Sequence, residues 1–378
     1  MTIAATRLSG NILTPEGWLL GHMRLEDGRI AAIEGRPVDP EQNDAPRLIP
    51  GFIDLHVHGG GGADAMEGAA SVATLARTHL RFGTTSLLAT TMTATPAQVR
   101  AVLREISTYM REPEPQASRV LGVHLEGPYI NPGKLGAQPA HAQVASVAEM
   151  DELLALAPIL VVTLAAEISG HGEVIRHLSE QGVKVQLGHT LGSYEDGVEA
   201  LAHGACGFTH LFNAMTGLHH RKPGMAGAAL AHAEYAEIIP DLLHVHPGAI
   251  RTALRCIPRL YAVTDSTAAA GMPDGDYRLG SQTVSKCLGG VRLADGTLAG
   301  STLTMDQALR NFVGLGLSLA EASDRLSRFP ADFLGRTDVG RLEVGARADV
   351  VTLDPQLTLS AVHLDGHLVS GDPHVTHA

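Results

Sequence analysis

Hydrophobic and polar positions along the chain follow two rhythms. Through the middle, apolar runs of five to eight residues alternate with stretches whose apolar positions recur every three or four residues. The runs are 51–57, 84–90, 119–125, 159–166, 183–187, 205–209, 236–243 and 259–263. The stretches with helical spacing are 70–82, 96–110, 144–155, 173–180, 194–202, 225–233, 248–256 and 305–315. A near-continuous apolar strand has both faces buried, and strands of that kind alternating with helices predict a parallel sheet under helical cover. Eight such units fit a closed (β/α)8 barrel of the TIM type. An open doubly wound sheet is the competitor. Against it, no Gly-x-Gly-x-x-Gly follows the first run, and Gly59-Gly60-Gly61-Gly62 lacks the Lys-Ser/Thr of a phosphate loop.

The two ends read differently. Residues 1–50 carry short alternating stretches broken by Gly17, Gly21, Asp27-Gly28, Gly35 and Pro37, and Asp27-Gly28 is a hairpin signal. The tail from 336 is similar, with Gly340, Gly345, Gly366 and Gly371 as breaks. The expected division is a small β domain from 1–50 and 336–378, with the barrel between, over 51–335.

Composition narrows the function. In 378 residues, 44% hydrophobic and 18% charged, there is material for a large core and no mark of disorder. The net charge of −12 argues against nucleic acid as a partner, because phosphate backbones need a basic face. No apolar run reaches the ~18 residues of a membrane span; the longest, 153–166, is interrupted by Pro158. Residues 1–10 lack the core of a signal peptide. Cys206, Cys256 and Cys287 are odd in number and widely spaced, so they form neither a disulfide framework nor a Cys-x-x-Cys knuckle. A cytoplasmic protein is expected.

In a barrel of this type chemistry sits where strands end. Here the runs end in His56-Val57-His58, Glu126, Glu167, His189, His210, His244 and Asp265. As a set this distribution is improbable by chance, although each residue taken singly has an ordinary structural reading. His56 and His58, two apart on a strand, point to one face and can reach one ion. Glu126 ends an apolar strand, where a carboxylate is costly to bury unless a cation meets it. With His189 and His210 it makes a two-histidine, one-carboxylate set suited to Zn²⁺ or Fe²⁺ with a position left open for water. His56 and His58 could hold a second ion, with Glu126 between the two. Asp265 is the natural proton acceptor and donor for metal-assisted hydrolysis; its alternative reading is a helix cap. His124 reads as structural, and His79, His171, His177, His203 and His232 receive no role. Arg221 is a candidate anion clamp, because its planar fork matches phosphate; Lys222 reads as solvent-facing.

Several stretches resemble the amidohydrolase superfamily and, within it, the N-acetylglucosamine-6-phosphate deacetylases. They are Ile49-Pro50-Gly51-Phe52-Ile53-Asp54 with His56 and His58, His124-Leu125-Glu126-Gly127-Pro128, Gly188-His189-Thr190 and Thr209-His210-Leu211-Phe212-Asn213-Ala214-Met215. Arg221-Lys222-Pro223-Gly224, Val263-Thr264-Asp265-Ser266 and Gly300-Ser301-Thr302-Leu303-Thr304-Met305 continue the match, which runs from about 49 to 312. The tail 345–350 looks like the superfamily's returning β segment.

The resemblance implies a metal-dependent barrel with a β-sandwich from both chain ends, usually a homodimer. It implies the principal ion on Glu126, His189 and His210, with one or two divalent ions per subunit; Zn²⁺ is expected, with Fe²⁺ the alternative. It also implies substrate contacts from Asn213, Ala214 and His244, with Arg221 reaching the partner's sugar phosphate. Two departures touch the substrate side. Gln138 stands in Lys134-Leu135-Gly136-Ala137-Gln138 where the family commonly has histidine. Leu242 stands in Asp241-Leu242-Leu243-His244 where the family favours glycine, which puts the placement of His244 at issue.

The expected reaction is removal of acetate from N-acetylglucosamine 6-phosphate. The alternatives are the galacto epimer, another amidohydrolase acting on an N-acyl substrate, and a silenced barrel used for binding. A dihydroorotase-like site would call for a lysine at a strand end, and Lys184 lies inside the fifth run. A silenced barrel should have lost ligands, and none is missing here.

Overall fold

The computed structural model describes residues 6–371, so 1–5 and 372–378, the outer ends of the two terminal segments, lie outside the described residues. The eight runs become eight parallel strands: β1 Phe52–Val57, β2 Thr84–Thr90, β3 Arg119–Glu126, β4 Ile159–Leu164, β5 Lys184–Leu187, β6 Gly207–Phe208, β7 Tyr235–Ile238 and β8 Arg259–Ala262. Strands β1 to β6 form one hydrogen-bonded sheet in chain order, and β7 pairs with β8. The seams are closed by backbone bonds from Leu211 N–H to Glu237 O at 2.9 Å, and from Asp265 N–H to His56 O and His58 N–H to Ser266 O, both at 2.9 Å. Closing the sheet leaves it no edge, so each inward side chain at the rim faces a common axis.

Helices follow the strands in order: α1 Ala69–Leu80, α2 Pro96–Arg111, α3 Val147–Leu154, α4 His171–Glu180, α5 Tyr194–Ala202, α6 Gly224–His232, α7 Pro247–Cys256 and α8 Met305–Gly314. Two more, α9 Leu319–Leu326 and α10 Arg328–Phe333, complete the wall. The second shows why these segments are helical. Thr95 caps α2 and exchanges bonds with Gln98, Pro96 takes the first turn, and Val99, Val102, Leu103, Ile106 and Tyr109 line up on its buried stripe.

Both chain ends enter a single seven-stranded sheet, in the spatial order 367–371, 359–364, 350–353, 47–50, 6–14, 17–26, 29–37. It curls until Arg29 bridges Arg347, around a core of Leu8, Ile12, Met23, Leu25, Ile30, Leu48, Leu342, Ala348 and Val350. The sheet meets the barrel at the strand starts, away from the rim that carries the histidines. There Gly51 N–H donates to Asp349 O at 3.0 Å, and Arg119 pairs with Asp349 and Asp365, both at 2.9 Å.

One element escaped the sequence reading. Between β8 and α8 lies a three-stranded antiparallel insert, Gly275–Leu279, Gln282–Cys287 and Gly290–Arg292. Few of its side chains are buried, among them Leu279, Val284 and Val291, so its apolar alternation is too sparse to stand out. It docks over the rim through Gly280 N–H to Asp64 Oδ2 at 2.6 Å and Gln282 Nε2 to Ala137 O at 2.5 Å.

Candidate metal centre and active-site cleft

Six side chains from the rim converge. His56 and His58 leave the end of β1 with their Nε2 atoms 3.1 Å apart. Glu126 ends β3, and its Oε1 lies 3.1 Å from Nε2 of both His189 and His210. Those two nitrogens are themselves 3.1 Å apart. The other carboxylate oxygen, Oε2, is 3.2 Å from His58 Nε2, and Asp265 Oδ1 is 3.3 Å from the same nitrogen. All six residues are buried.

This donor set fits a cation better than it fits hydrogen bonds alone. A bond between two imidazole nitrogens uses one proton, yet here imidazole edges meet each other and share one carboxylate. Nitrogen ligands held ~2.0–2.1 Å from a tetrahedral zinc lie roughly 3.3 Å apart, close to the spacings seen. The free tautomers also agree. His189 Nδ1 donates to Lys134 O at 2.8 Å, and His56 Nδ1 donates to Glu237 Oε2 at 3.0 Å, so each turns the lone pair of Nε2 inward. The residues divide into Glu126, His189 and His210 on one side and His56, His58 and Asp265 on the other.

The backbone explains how strand ends aim these groups. His189, His210 and Asp265 have φ of 49°, 28° and 50°, in the left-handed region that non-glycine residues avoid. Such strain persists where the surroundings over-determine it. Beneath Asp265, Asp54 of β1 supplies that constraint: it accepts Thr264 Oγ1 at 2.6 Å, Thr264 N–H at 3.2 Å and His56 N–H at 3.3 Å. Burial pushes the Asp54 carboxyl up to about 7 despite these donors.

The charges pull one way. Burial by itself would raise Glu126, but the charges of His56 and His189, with the bonds from His189 and His210, hold it well below the usual carboxylate range. Burial disfavours protonated imidazole at His58, yet Asp265 and Glu126 overcome it and push His58 up to about 9. Against burial, His56 and His58 hold Asp265 at about 2. The centre is therefore built to keep positive charge, carried either by protons or by a cation.

The cleft above has a volume of about 390 Å³ and is lined by His58, Glu126, Gln138, His189, His210, Asn213, Ala214, His244 and Asp265. Sequence reasoning had named every one of these. Met92, Lys134, Leu135, Leu279, Thr297, Leu298 and Gly300, to which the sequence assigns no role, also line it. The last four come from the insert and the segment after it. The longest miss is Glu237: an acid inside an apolar strand was a visible signal, since burial demands a partner.

One expectation is corrected, and the remaining candidates are placed. The seventh run does not end in His244, because β7 stops at Ile238 and His244 sits on a following loop. Asp241 holds that loop, accepting Leu243 N–H at 2.9 Å, His244 N–H at 2.8 Å and His244 Nδ1 at 2.7 Å. Leu242 adopts the left-handed φ of 66° that glycine would take, so His244 still reaches the cleft. Burial lowers the His244 imidazole, but Asp241 outweighs it and the net shift is upward. Glu167 stays out of the cleft, bound by Thr190 Oγ1 at 2.5 Å, Leu191 N–H at 2.7 Å and Asn131 Nδ2 at 2.8 Å. Arg221 is exposed and does not line the cleft of its own chain; its Nη1 lies 2.7 Å from His220 Nε2. His124 has both ring nitrogens engaged, with Nδ1 donating to Leu55 O at 2.9 Å and Nε2 at 2.7 Å from Thr163 Oγ1.

Comparison with known proteins agrees with this geometry. Residues 47–376 match the amidohydrolase family. The chain is 44% identical to the N-acetylgalactosamine-6-phosphate deacetylase of Escherichia coli O157:H7 over 368 residues, 95% of this chain and 97% of that one. It is 38% identical to the N-acetylglucosamine-6-phosphate deacetylase of Vibrio furnissii over 356 residues, covering 91% and 89%. The crystal structure of N-acetylglucosamine-6-phosphate deacetylase from Thermotoga maritima superposes with a TM-score of 0.90 at 33% identity, over 97% of this chain and all of that one. A variant of the Mycobacterium smegmatis deacetylase, in complex with N-acetyl-D-glucosamine-6-phosphate, gives 0.90 at 32% identity with the same coverage. Fold, rim chemistry and sequence converge, and the chain belongs to the amidohydrolase family, as a metal-dependent hydrolase of carbon–nitrogen bonds in its amino-sugar deacetylase branch.

Proposed function

We propose that this enzyme hydrolyses the acetamide of N-acetylglucosamine 6-phosphate, releasing acetate and glucosamine 6-phosphate. The observation that carries the reading is Glu126 Oε1 at 3.1 Å from His189 and His210 Nε2, with Asp265 and His244 facing the same cleft. Glu126, His189 and His210 would hold the principal divalent ion, and His56, His58 and Asp265 a second. Zinc is the proposed metal, with Fe²⁺ the alternative on the same ligands. Bound there, a divalent cation polarises the acetamide carbonyl and lowers the pKa of water toward ~7.

The chain's own groups do the rest. Asp265 accepts the proton of the attacking water and returns it to the amide nitrogen as the C–N bond breaks. His244, oriented by Asp241, donates to the carbonyl oxygen where negative charge grows. Asn213 and Ala214 shape the sugar site. Lys134 is the one lysine or arginine lining the cleft among the described residues. The phosphate is therefore proposed to draw on Arg221 from a second copy of the chain, in a homodimer. On this reading 51–335 is the catalytic unit and the terminal segments 1–50 and 336–378 support it.

A second reading has its own support. The 44% identical relative from Escherichia coli is a galactosamine-sugar deacetylase, so the galacto epimer is the alternative substrate. Among the described residues no helix is long and apolar enough to cross a membrane, and the three cysteines are free. Both fit the proposed cytoplasmic setting. The test is acetate release from both epimers, with and without phosphate, after chelation and metal add-back. Metal-dependent release that prefers a phosphorylated sugar is expected. Release unaffected by chelation, or none from any of these sugars, overturns the reading.

A further inference from the structure

Glu237 is fully buried on β7, behind the metal centre and outside the cleft. Its Oε2 accepts His56 Nδ1–H at 3.0 Å and the backbone N–H of His210 at 3.2 Å. Its Oε1 accepts Gln186 Nε2 at 2.9 Å, and the same amide reaches Tyr261 Oη at 3.1 Å. Gln186 and Tyr261 are also fully buried. A carboxylate sealed in a barrel core is costly unless it is paired. Here the pairing partner is one imidazole of the cluster.

His56, His124 and Glu237 are close enough to suggest a third ion site. The bonds of His124 exclude it: both its ring nitrogens are engaged, with Leu55 O and Thr163 Oγ1. What remains is a one-sided relation. Glu237 holds the proton of His56 on Nδ1, and this aims the Nε2 lone pair at His58 and Asp265.

We propose that Glu237 is the positioning residue for the second cation: it fixes the tautomer and ring of His56, and so sets whether the His56–His58–Asp265 side takes up an ion. The inference rests on the metal-centre reading above. Glu126, His189 and His210 meet without help from the Glu237 side chain except at the His210 backbone. Loss of Glu237 should therefore fall on one site and spare the other. Outer carboxylates that orient a ligating histidine carry roughly 10–100-fold in metal affinity.

The experiment measures Zn²⁺ and Co²⁺ uptake by the chelated full chain, by metal analysis and competition with a chromophoric chelator, for wild type, Glu237→Met and Glu237→Gln. Co²⁺ absorption spectra report imidazole coordination independently of activity. Wild type should take two ions. Glu237→Met, similar in size but without the carboxylate and with only a weakly accepting sulfur, should keep one tight ion and bind the second at least tenfold more weakly. Glu237→Gln, whose side-chain oxygen can still accept from Nδ1 if Gln186 turns its amide, should fall between. If Glu237→Met does not fold, His56→Asn provides the second arm, because adding Glu237→Gln to it should change metal uptake no further.

Two ions bound by Glu237→Met with wild-type affinity would overturn the proposal. So would equal weakening of both ions in either variant, which marks a purely structural role. A wild-type chain that binds no divalent ion would instead overturn the metal-centre reading itself.

Discussion

Gln138 Nε2 donates to Glu126 Oε2 at 2.6 Å, while its own Oε1 accepts the Thr93 N–H at 2.6 Å. The residue at the position where the family commonly has histidine thus spends its amide on a metal-centre carboxylate. Gln138→Ala is expected to loosen Glu126 and lower cation affinity by roughly tenfold, with a matching loss in kcat/KM. Chelator competition on the variant checks the first effect, and acetate release checks the second.

Asp265 touches His58 and opens onto the cleft. Asp265→Asn removes the proton acceptor but keeps an oxygen of similar size. Turnover should fall about 10²–10⁴-fold while the ion on Glu126, His189 and His210 stays bound. Metal analysis and kcat measured on one sample decide this. Near-wild-type turnover with metal in place would remove Asp265 from its role.

Metal affinity should climb with pH. A ligating imidazole must be unprotonated, and His58 is pushed up to about 9, so protons compete with the second ion throughout the neutral range. Below that value each unit fall in pH should weaken the second ion by up to about tenfold, and binding should release protons. Isothermal titration in buffers of different ionisation enthalpy reads both. An affinity flat from pH 6 to 9 contradicts the expectation.

Leu242 is 39% exposed and sits at a φ of 66°, so it gives up little packing when replaced and carries left-handed strain. Leu242→Gly removes the strain while it frees the unfolded chain. The net gain expected is up to about 1 kcal/mol. A thermal melt should show a Tm at or above wild type, and a clear fall would show that the leucine packs in the assembled enzyme.

Arg221 lies outside its own cleft, which makes its role testable by mixing. Arg221→Ala should raise KM for the phosphorylated sugar and leave the unphosphorylated one unchanged. Exchange of Arg221→Ala subunits with Asp265→Asn subunits should recover up to about a quarter of wild-type activity, because half the dimers then hold one intact site. No recovery, with subunit exchange demonstrated, would place Arg221 in its own chain's service.

The pattern of the chain determined the barrel and most of its rim. Period-two and period-three-to-four apolar spacing are local, and so are the residues at which strands stop, so His56, His58, Glu126, His189, His210 and Asp265 could be read in line. The tertiary structure alone decided how these groups are paired, because contact between residues 56 and 237, or 126 and 138, depends on closure of the sheet. It likewise decided that Glu167 is tied up by Asn131, Thr190 and Leu191, that the insert after β8 covers the cleft, and that Arg221 lies outside it. Burial, tautomer and charge are properties of a neighbourhood, and the neighbourhood exists only once distant segments have been brought together.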